Sequence, residues 1–156
     1  MNPDGIIVLT LPGSLTYLSP ELRDLNACIR ETLKSIYRSV RIIPGDTNLY
    51  LASDSEKLEQ VAPEELMKRL DERKIKASLM TRSYVGYRLH ERWLKWFLKS
   101  MEGKEVSLNS DFRPLGVFFN LSYWNALFSP YLTTVFKWFE GWSLPLTLAL
   151  TGIFTV

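Results

Sequence analysis

The sequence has one cysteine and one histidine in 156 residues, Cys28 and His90. No disulfide can close within it, and a reducing compartment is the easier setting. A protein-built metal centre is disfavoured on the same ground, because neither residue has a second soft ligand at a useful spacing. No glycine-rich loop lies between a strand and a helix, so the phosphate cradle that such a loop provides is missing. The segment Met1-Asn2-Pro3-Asp4-Gly5 has no basic stretch and no long apolar run, which predicts no secretory signal there. A net charge of +2 gives no reason to expect nucleic acid as a partner.

Charge is also missing locally. Of 36 charged residues, 34 fall in residues 1–113, and only Lys137 and Glu140 lie beyond. The same last 43 residues hold 11 of the 20 aromatics. A soluble surface rarely gains aromatics while losing charge, because exposed apolar patches invite association. The chain therefore reads as two regimes, residues 1–111 and 112–156, with a seam near Asp111–Pro114.

Ile6-Ile7-Val8-Leu9 is a β-branched run bounded by Pro3-Asp4-Gly5 and Leu11-Pro12-Gly13. Such a run predicts a strand buried on both faces, as in a parallel sheet covered by helices. Ser19 reads as an N-cap with Pro20 and Glu21 in the first turn. Leu22, Leu25, Ile29, Leu33 and Ile36 then recur at helical spacing, with charges on the other side. Cys28 sits beside this stripe as a small core residue. Val40-Arg41-Ile42-Ile43 and Asn48-Leu49-Tyr50-Leu51-Ala52 read as two strands of an antiparallel hairpin. Pro44-Gly45 predicts their turn, with proline fixing φ and glycine accepting a positive φ. Pro63-Glu64-Glu65 starts a further helix with Leu66, Met67 and Leu70 as its buried side.

Residues 74–104 carry eight Lys/Arg and two acids, a local net of +6. Within them Leu89 to Met101 reads as a helix that interleaves Trp93, Trp96 and Phe97 with Arg92, Lys95 and Lys99. That mixture suits a helix lying on a membrane surface, and it equally suits packing on a sheet. His90 opens the helix and reads as solvated. The chain ends in Leu144–Val156, an apolar run of 13 residues. Spanning a bilayer takes about 20 residues, so the run reads as a truncated transmembrane helix. Trp138 and Trp142 would lie at headgroup level, with the basic stretch on the cytoplasmic side.

The order strand, helix, strand, hairpin, antiparallel strand is how the sheet of S-adenosylmethionine-dependent methyltransferase-like domains ends. Two strings are more specific. Leu15-Thr16-Tyr17-Leu18-Ser19-Pro20-Glu21-Leu22 and Ile43-Pro44-Gly45-Asp46-Thr47-Asn48-Leu49-Tyr50-Leu51-Ala52-Ser53-Asp54 resemble the spermidine synthase (polyamine aminopropyltransferase) family, in its membrane-fused branch. Asn109-Ser110-Asp111-Phe112-Arg113-Pro114 and Asn120-Leu121-Ser122-Tyr123-Trp124 are similar to the same branch. The resemblance implies an α/β fold. It would be the C-terminal half of a Rossmann-like, methyltransferase-type sheet with a hairpin strand, followed by an α-helical hydrophobic tail. It also implies aminopropyl transfer from decarboxylated S-adenosylmethionine to a diamine in intact members. The nucleotide loop and the proton-accepting acid belong to earlier strands, and no matching positions exist here. No catalytic or cofactor-binding residue is therefore assigned.

In open α/β sheets ligands bind beyond the carboxyl ends of the parallel strands. Two loops would lie there, Leu11 to Ser19 and the turn Pro44–Asn48, which makes Tyr17, Asp46 and Thr47 candidate substrate-binding residues. The Asp46 carboxylate would attract a cationic amine. Alternatively, Asp46 and Asn48 only cap a tight turn, and Tyr17 only packs. Asp111 and Arg113 could form a local ion pair at the seam. The expected partners are membrane lipid through the tail and either the missing N-terminal half or a second copy. A non-enzymatic membrane-associated scaffold and a methyltransferase-like fragment are the competing readings.

Overall fold

The computed structural model describes residues 5–58, 62–103 and 106–128. The chain divides into two compact units, residues 1–18 with 33–102, and residues 19–32 with 103–156.

The first unit is built on an antiparallel sheet of three strands, β1 (Ile7–Pro12), β2 (Ser39–Ile43) and β3 (Thr47–Ser53). Their order in space is β1-β3-β2, so β3 is the central strand and runs antiparallel to both neighbours. The hairpin β2–β3 is as the sequence predicts. The reading of β1 is corrected: it is an edge strand paired antiparallel with β3, and it is not buried on both faces. Ile6, Val8 and Leu9 are exposed. An unbroken apolar run has the same appearance whether its neighbours are present or absent, which is why the sequence misleads here.

Register explains the core. Leu9 lies opposite Tyr50, and Tyr50 opposite Ile42; Ile7 lies opposite Ala52, and Ala52 opposite Val40. Directly opposed residues share a face. Tyr50 and Ala52 are fully buried on the central strand, and Ile42 is buried beside them. The Gly13 N–H donates to the Asp46 carbonyl at 2.9 Å, which prolongs the β1–β3 ladder by one step. By the two-residue alternation of a strand, the backbone groups of Ile7, Leu9 and Leu11 then point at β3. Those of Val8 and Thr10 point at the open edge. Arg41 Nη1 donates to the carbonyl of Leu58 at 3.2 Å, tying β2 to a short 3-10 turn at Glu56–Leu58.

Arranged around the sheet's chain are the helices α2 (Pro63–Glu72), α3 (Arg82–Arg88) and α4 (Glu91–Ser100). Helix α2 starts on Pro63 as expected, but Leu66, Met67 and Leu70 are half-buried and none of its residues is buried; it lies against α3, while α4 lies against β2. Nothing in the residue pattern announces α3, whose seven residues bury only Val85. His90 is the N-cap of α4, with Nδ1 accepting the Arg92 N–H at 3.2 Å. The Lys95 ammonium, 2.9 Å from the Glu91 carboxylate, holds that carboxyl below its ordinary range.

Between β1 and β2 runs α1 (Pro20–Ile36), one helix of 17 residues. Ser19 caps it, its hydroxyl accepting the Leu22 N–H at 3.3 Å. Leu22, Leu25, Leu33 and Cys28 are buried as the stripe predicts, but Ile36, the last residue of the helix, is 63% exposed.

In the second unit Leu25 and Cys28 of α1 pack with Leu115 and Phe119 of α5 (Leu115–Phe128), with Ile29 and Val106 against them. Asn109 sets the geometry. Its N–H donates to Thr32 Oγ1 at 2.9 Å, and Thr32 Oγ1 donates to the Cys28 carbonyl at 2.7 Å. The Asn109 Oδ1 accepts the Gly116 N–H at 2.8 Å, satisfying a donor in the first turn of α5. Replacing Asn109 with alanine should lower stability by about 1–2 kcal/mol, read as a shift in urea midpoint, because that donor loses its partner. Among the described residues no ion pair joins Asp111 and Arg113, which are both exposed. The seam is instead held by paired backbone bonds between Ser110 and Arg113, each 3.1 Å.

No helix among the described residues is long and apolar enough to cross a membrane. At 14 residues α5 is about 21 Å long by the rise of an α-helix, short of the bilayer's core of about 30 Å. Trp138, Trp142 and the run Leu144–Val156 lie outside the described residues.

Candidate functional site

Two loops of the first unit meet at one end of a sheet whose pairings are both antiparallel. One follows β1; the other is the turn between β2 and β3. The backbone bond from Gly13 to Asp46 joins them. Asn48, fully buried, secures the join: its Oδ1 accepts the Gly45 N–H at 3.0 Å, and its Nδ2 donates to the Pro12 carbonyl at 3.4 Å. So Asn48 is a capping residue of the turn, in line with the structural alternative raised for it.

The two glycines are required by close approach. A β-carbon on Gly13 would overlap the Gly45 carbonyl oxygen and the Asn48 side chain. A β-carbon on Gly45 would overlap the guanidinium of Arg88. The expectation of a positive φ at Gly45 is corrected, since among the described residues only Gly103 and Lys74 have one. Glycine is needed at position 45 because the last turn of α3 lays Arg88 on it.

The residues singled out from the sequence, Tyr17, Asp46 and Thr47, lie in these two loops and at the start of β3, and all three are exposed. Tyr17 is 69% exposed and so is not part of the core. Its backbone is fixed by Ser14, whose hydroxyl accepts the N–H groups of Thr16 and Tyr17, each at 3.2 Å. This is a Ser-centred turn that holds Tyr17 outward from the loop. Sequence reasoning named Asn48 as a turn cap but missed the roles of Gly13 and Arg88. The only available signal was a glycine in each loop, and it was read as turn chemistry.

Electrostatically, the site carries one carboxylate, Asp46, and one guanidinium, Arg88, on the same turn. A guanidinium beside the turn weakens the attraction that Asp46 alone would exert on a cationic amine. Among the described residues no three His, Cys, Asp or Glu side chains converge to hold a metal ion.

A second cluster lies on α3 and α4. The Arg92 guanidinium is 4.3 Å from the Trp93 ring centroid and 6.0 Å from that of Tyr87. The Tyr87 and Trp93 rings meet edge to face at 5.4 Å. Phe97 is fully buried, and Trp93, Leu94, Trp96 and Leu98 are half-buried, while Glu91, Arg92, Lys95 and Lys99 are exposed. On the apolar side of α4, Phe97 alone is buried.

Comparison with known protein families, with curated proteins and with solved structures found no match.

Proposed function

We propose that this chain is the closing half of a methyltransferase-type Rossmann sheet from a spermidine synthase-like protein, carried on a membrane-associated tail. The observation that carries the reading is the open edge of β1. Val8 and Leu9 on β1, and Ile6 just before it, are exposed, and among the described residues no strand pairs with the outer edge of β1, an arrangement that proteins ordinarily cover. Further strands beside β1 would cover it. The strand order agrees with this: β1 and β2 run the same way, α1 connects them, and β3 returns antiparallel between them.

In the intact family the aminopropyl group of decarboxylated S-adenosylmethionine passes to a diamine. On this reading Tyr17, Asp46 and Thr47 border the diamine's end of the site. The residues that bind the nucleotide and accept the amine proton belong to strands outside this sequence. The tail places the protein at a membrane, with the basic and sheet-bearing part on the cytoplasmic side. The full chain incubated with decarboxylated S-adenosylmethionine and putrescine should give no spermidine by mass spectrometry. Turnover by this chain alone would refute the claim that the chemical half lies elsewhere.

One observation favours a second reading. Arg88 seated on Gly45 opposes a cationic substrate at this end of the sheet. A membrane-associated scaffold that keeps the end of the fold without its chemistry would tolerate that guanidinium.

A further inference from the structure

The segment that joins α2 to α3 combines exposed apolar side chains with exposed cations. From Arg73 to His90 the sequence holds Arg73, Lys74, Lys76, Arg82 and Arg88 and no acid. The bordering acids are engaged by lysines of their own helices: Glu72 lies 3.7 Å from Lys68, and Glu91 lies 2.9 Å from Lys95. Arg88 rests on Gly45. Arg73, Lys74, Lys76 and Arg82 are exposed, and no ion pair engages them among the described residues. Between and beside them stand Ile75, Leu79, Met80, Tyr84 and Tyr87, with exposures from 41% at Met80 to 84% at Leu79. Leu79 is the most exposed large apolar side chain among the described residues.

Local hydrogen bonds close this loop at both ends. The Lys74 N–H donates to the Asp71 carbonyl and the Ile75 N–H to the Leu70 carbonyl, each at 3.0 Å. With Lys74 at φ 54°, this is the left-handed turn that ends a helix. Glycine is the usual residue in that turn, so the lysine is kept at a conformational cost. The Met80 N–H donates to the Ala77 carbonyl at 3.0 Å, which puts Ser78-Leu79 at the tip of a turn. Thr81 then caps α3.

We propose that this loop and the exposed side of α3 form a docking site for an anionic phospholipid surface. Leu79 and Met80 enter the acyl boundary, while Lys74, Lys76 and Arg82 meet the anionic headgroups. Tyr84 and Tyr87, three residues apart on one side of α3, supply the amphipathic rings that favour headgroup level. Charge selects this occupant, because a neutral lipid surface offers the exposed cations no counter-charge. Nucleic acid would pair with the cations, but it binds single strands through aromatic faces, and the most exposed group here is an aliphatic leucine. An acidic peptide would pair with the cations and leave Leu79 in water. The site adds to attachment through the tail and does not depend on the aminopropyltransferase reading.

The test uses the full chain and two kinds of vesicle, phosphatidylcholine alone and an equimolar mixture with phosphatidylserine. Binding to the first reads the tail, and the difference between the two reads this loop. Flotation should show at least tenfold tighter binding to the mixture at low salt, and the preference should shrink as salt rises. Lys76→Glu with Arg82→Glu should remove the preference, and Leu79→Ser with Met80→Ser should weaken binding to the mixture at least fivefold. All four side chains are exposed, so these variants keep the fold. An environment-sensitive fluorophore on Leu79→Cys, with buried Cys28 unlabelled, should shift to the blue on the mixture only. Equal binding to both vesicles, or a preference that survives the two glutamates, would overturn the proposal. So would a label that stays in water on the mixture or shifts equally on both vesicles. A thymidine oligonucleotide or polyglutamate bound as tightly as the mixture would overturn it in favour of that polyanion.

Discussion

Replacing Gly13 with alanine should destabilise the first unit by about 1–3 kcal/mol, the usual cost of forcing extra volume into a packed site. The added β-carbon meets the Gly45 carbonyl oxygen, a backbone atom, and the amide of a buried Asn48. Neither can move without disturbing a hydrogen bond, the Gly13–Asp46 bond at 2.9 Å or the Asn48–Gly45 bond at 3.0 Å. Gly45→Ala is the informative comparison. Its β-carbon meets only the far end of the Arg88 side chain, which can swing away, so the loss should be smaller. Chemical denaturation of both variants checks the order. Equal losses, or none at Gly13, would mean that the two loops are not locked together. The candidate site would then lack a fixed floor on which to hold Tyr17, Asp46 and Thr47.

The elements legible in the sequence were those whose signals are local. Ser19 and Pro20 announce α1, Pro63 announces α2, and Pro44-Gly45 with its flanking apolar runs announces the hairpin. What stayed hidden depends on distant partners. The run around Ile7 and Val8 says that a strand forms, but not whether anything lies on its far side; an exposed edge and a buried centre share one composition. Helix α3 is too short to display a helical period, and its cap, Thr81 accepting the Tyr84 N–H at 3.2 Å, is a single hydroxyl among many. The seating of Arg88 on Gly45 joins residues far apart in the chain. A glycine chosen for clearance looks, in sequence, like a glycine chosen for backbone freedom. The seam shows the same limit. Asp111 and Arg113 have the charges for an ion pair, yet the backbone pairing of Ser110 with Arg113 does the holding.

Phe97→Ala is expected to have the largest effect of any single substitution considered, a loss of about 3–5 kcal/mol, the range for truncating a buried aromatic. Phe97 is fully buried on α4, the helix that lies against β2. The same helix combines two tryptophans with two lysines and one arginine, which from sequence alone suits a lipid surface as well as a core. The two roles predict opposite partitions of the damage. A core residue costs folding stability and leaves vesicle binding by the folded fraction unchanged. A lipid-facing residue costs vesicle binding and leaves the denaturation midpoint where it was. Lys95→Ala and Lys99→Ala calibrate the other side of the helix: both are exposed, and each should shift stability by no more than about 0.5 kcal/mol. A Phe97→Ala chain that loses its midpoint and keeps vesicle binding would pass the burden of any membrane attachment to other residues. A Phe97→Ala chain that keeps its midpoint and loses vesicle binding would return that burden to α4.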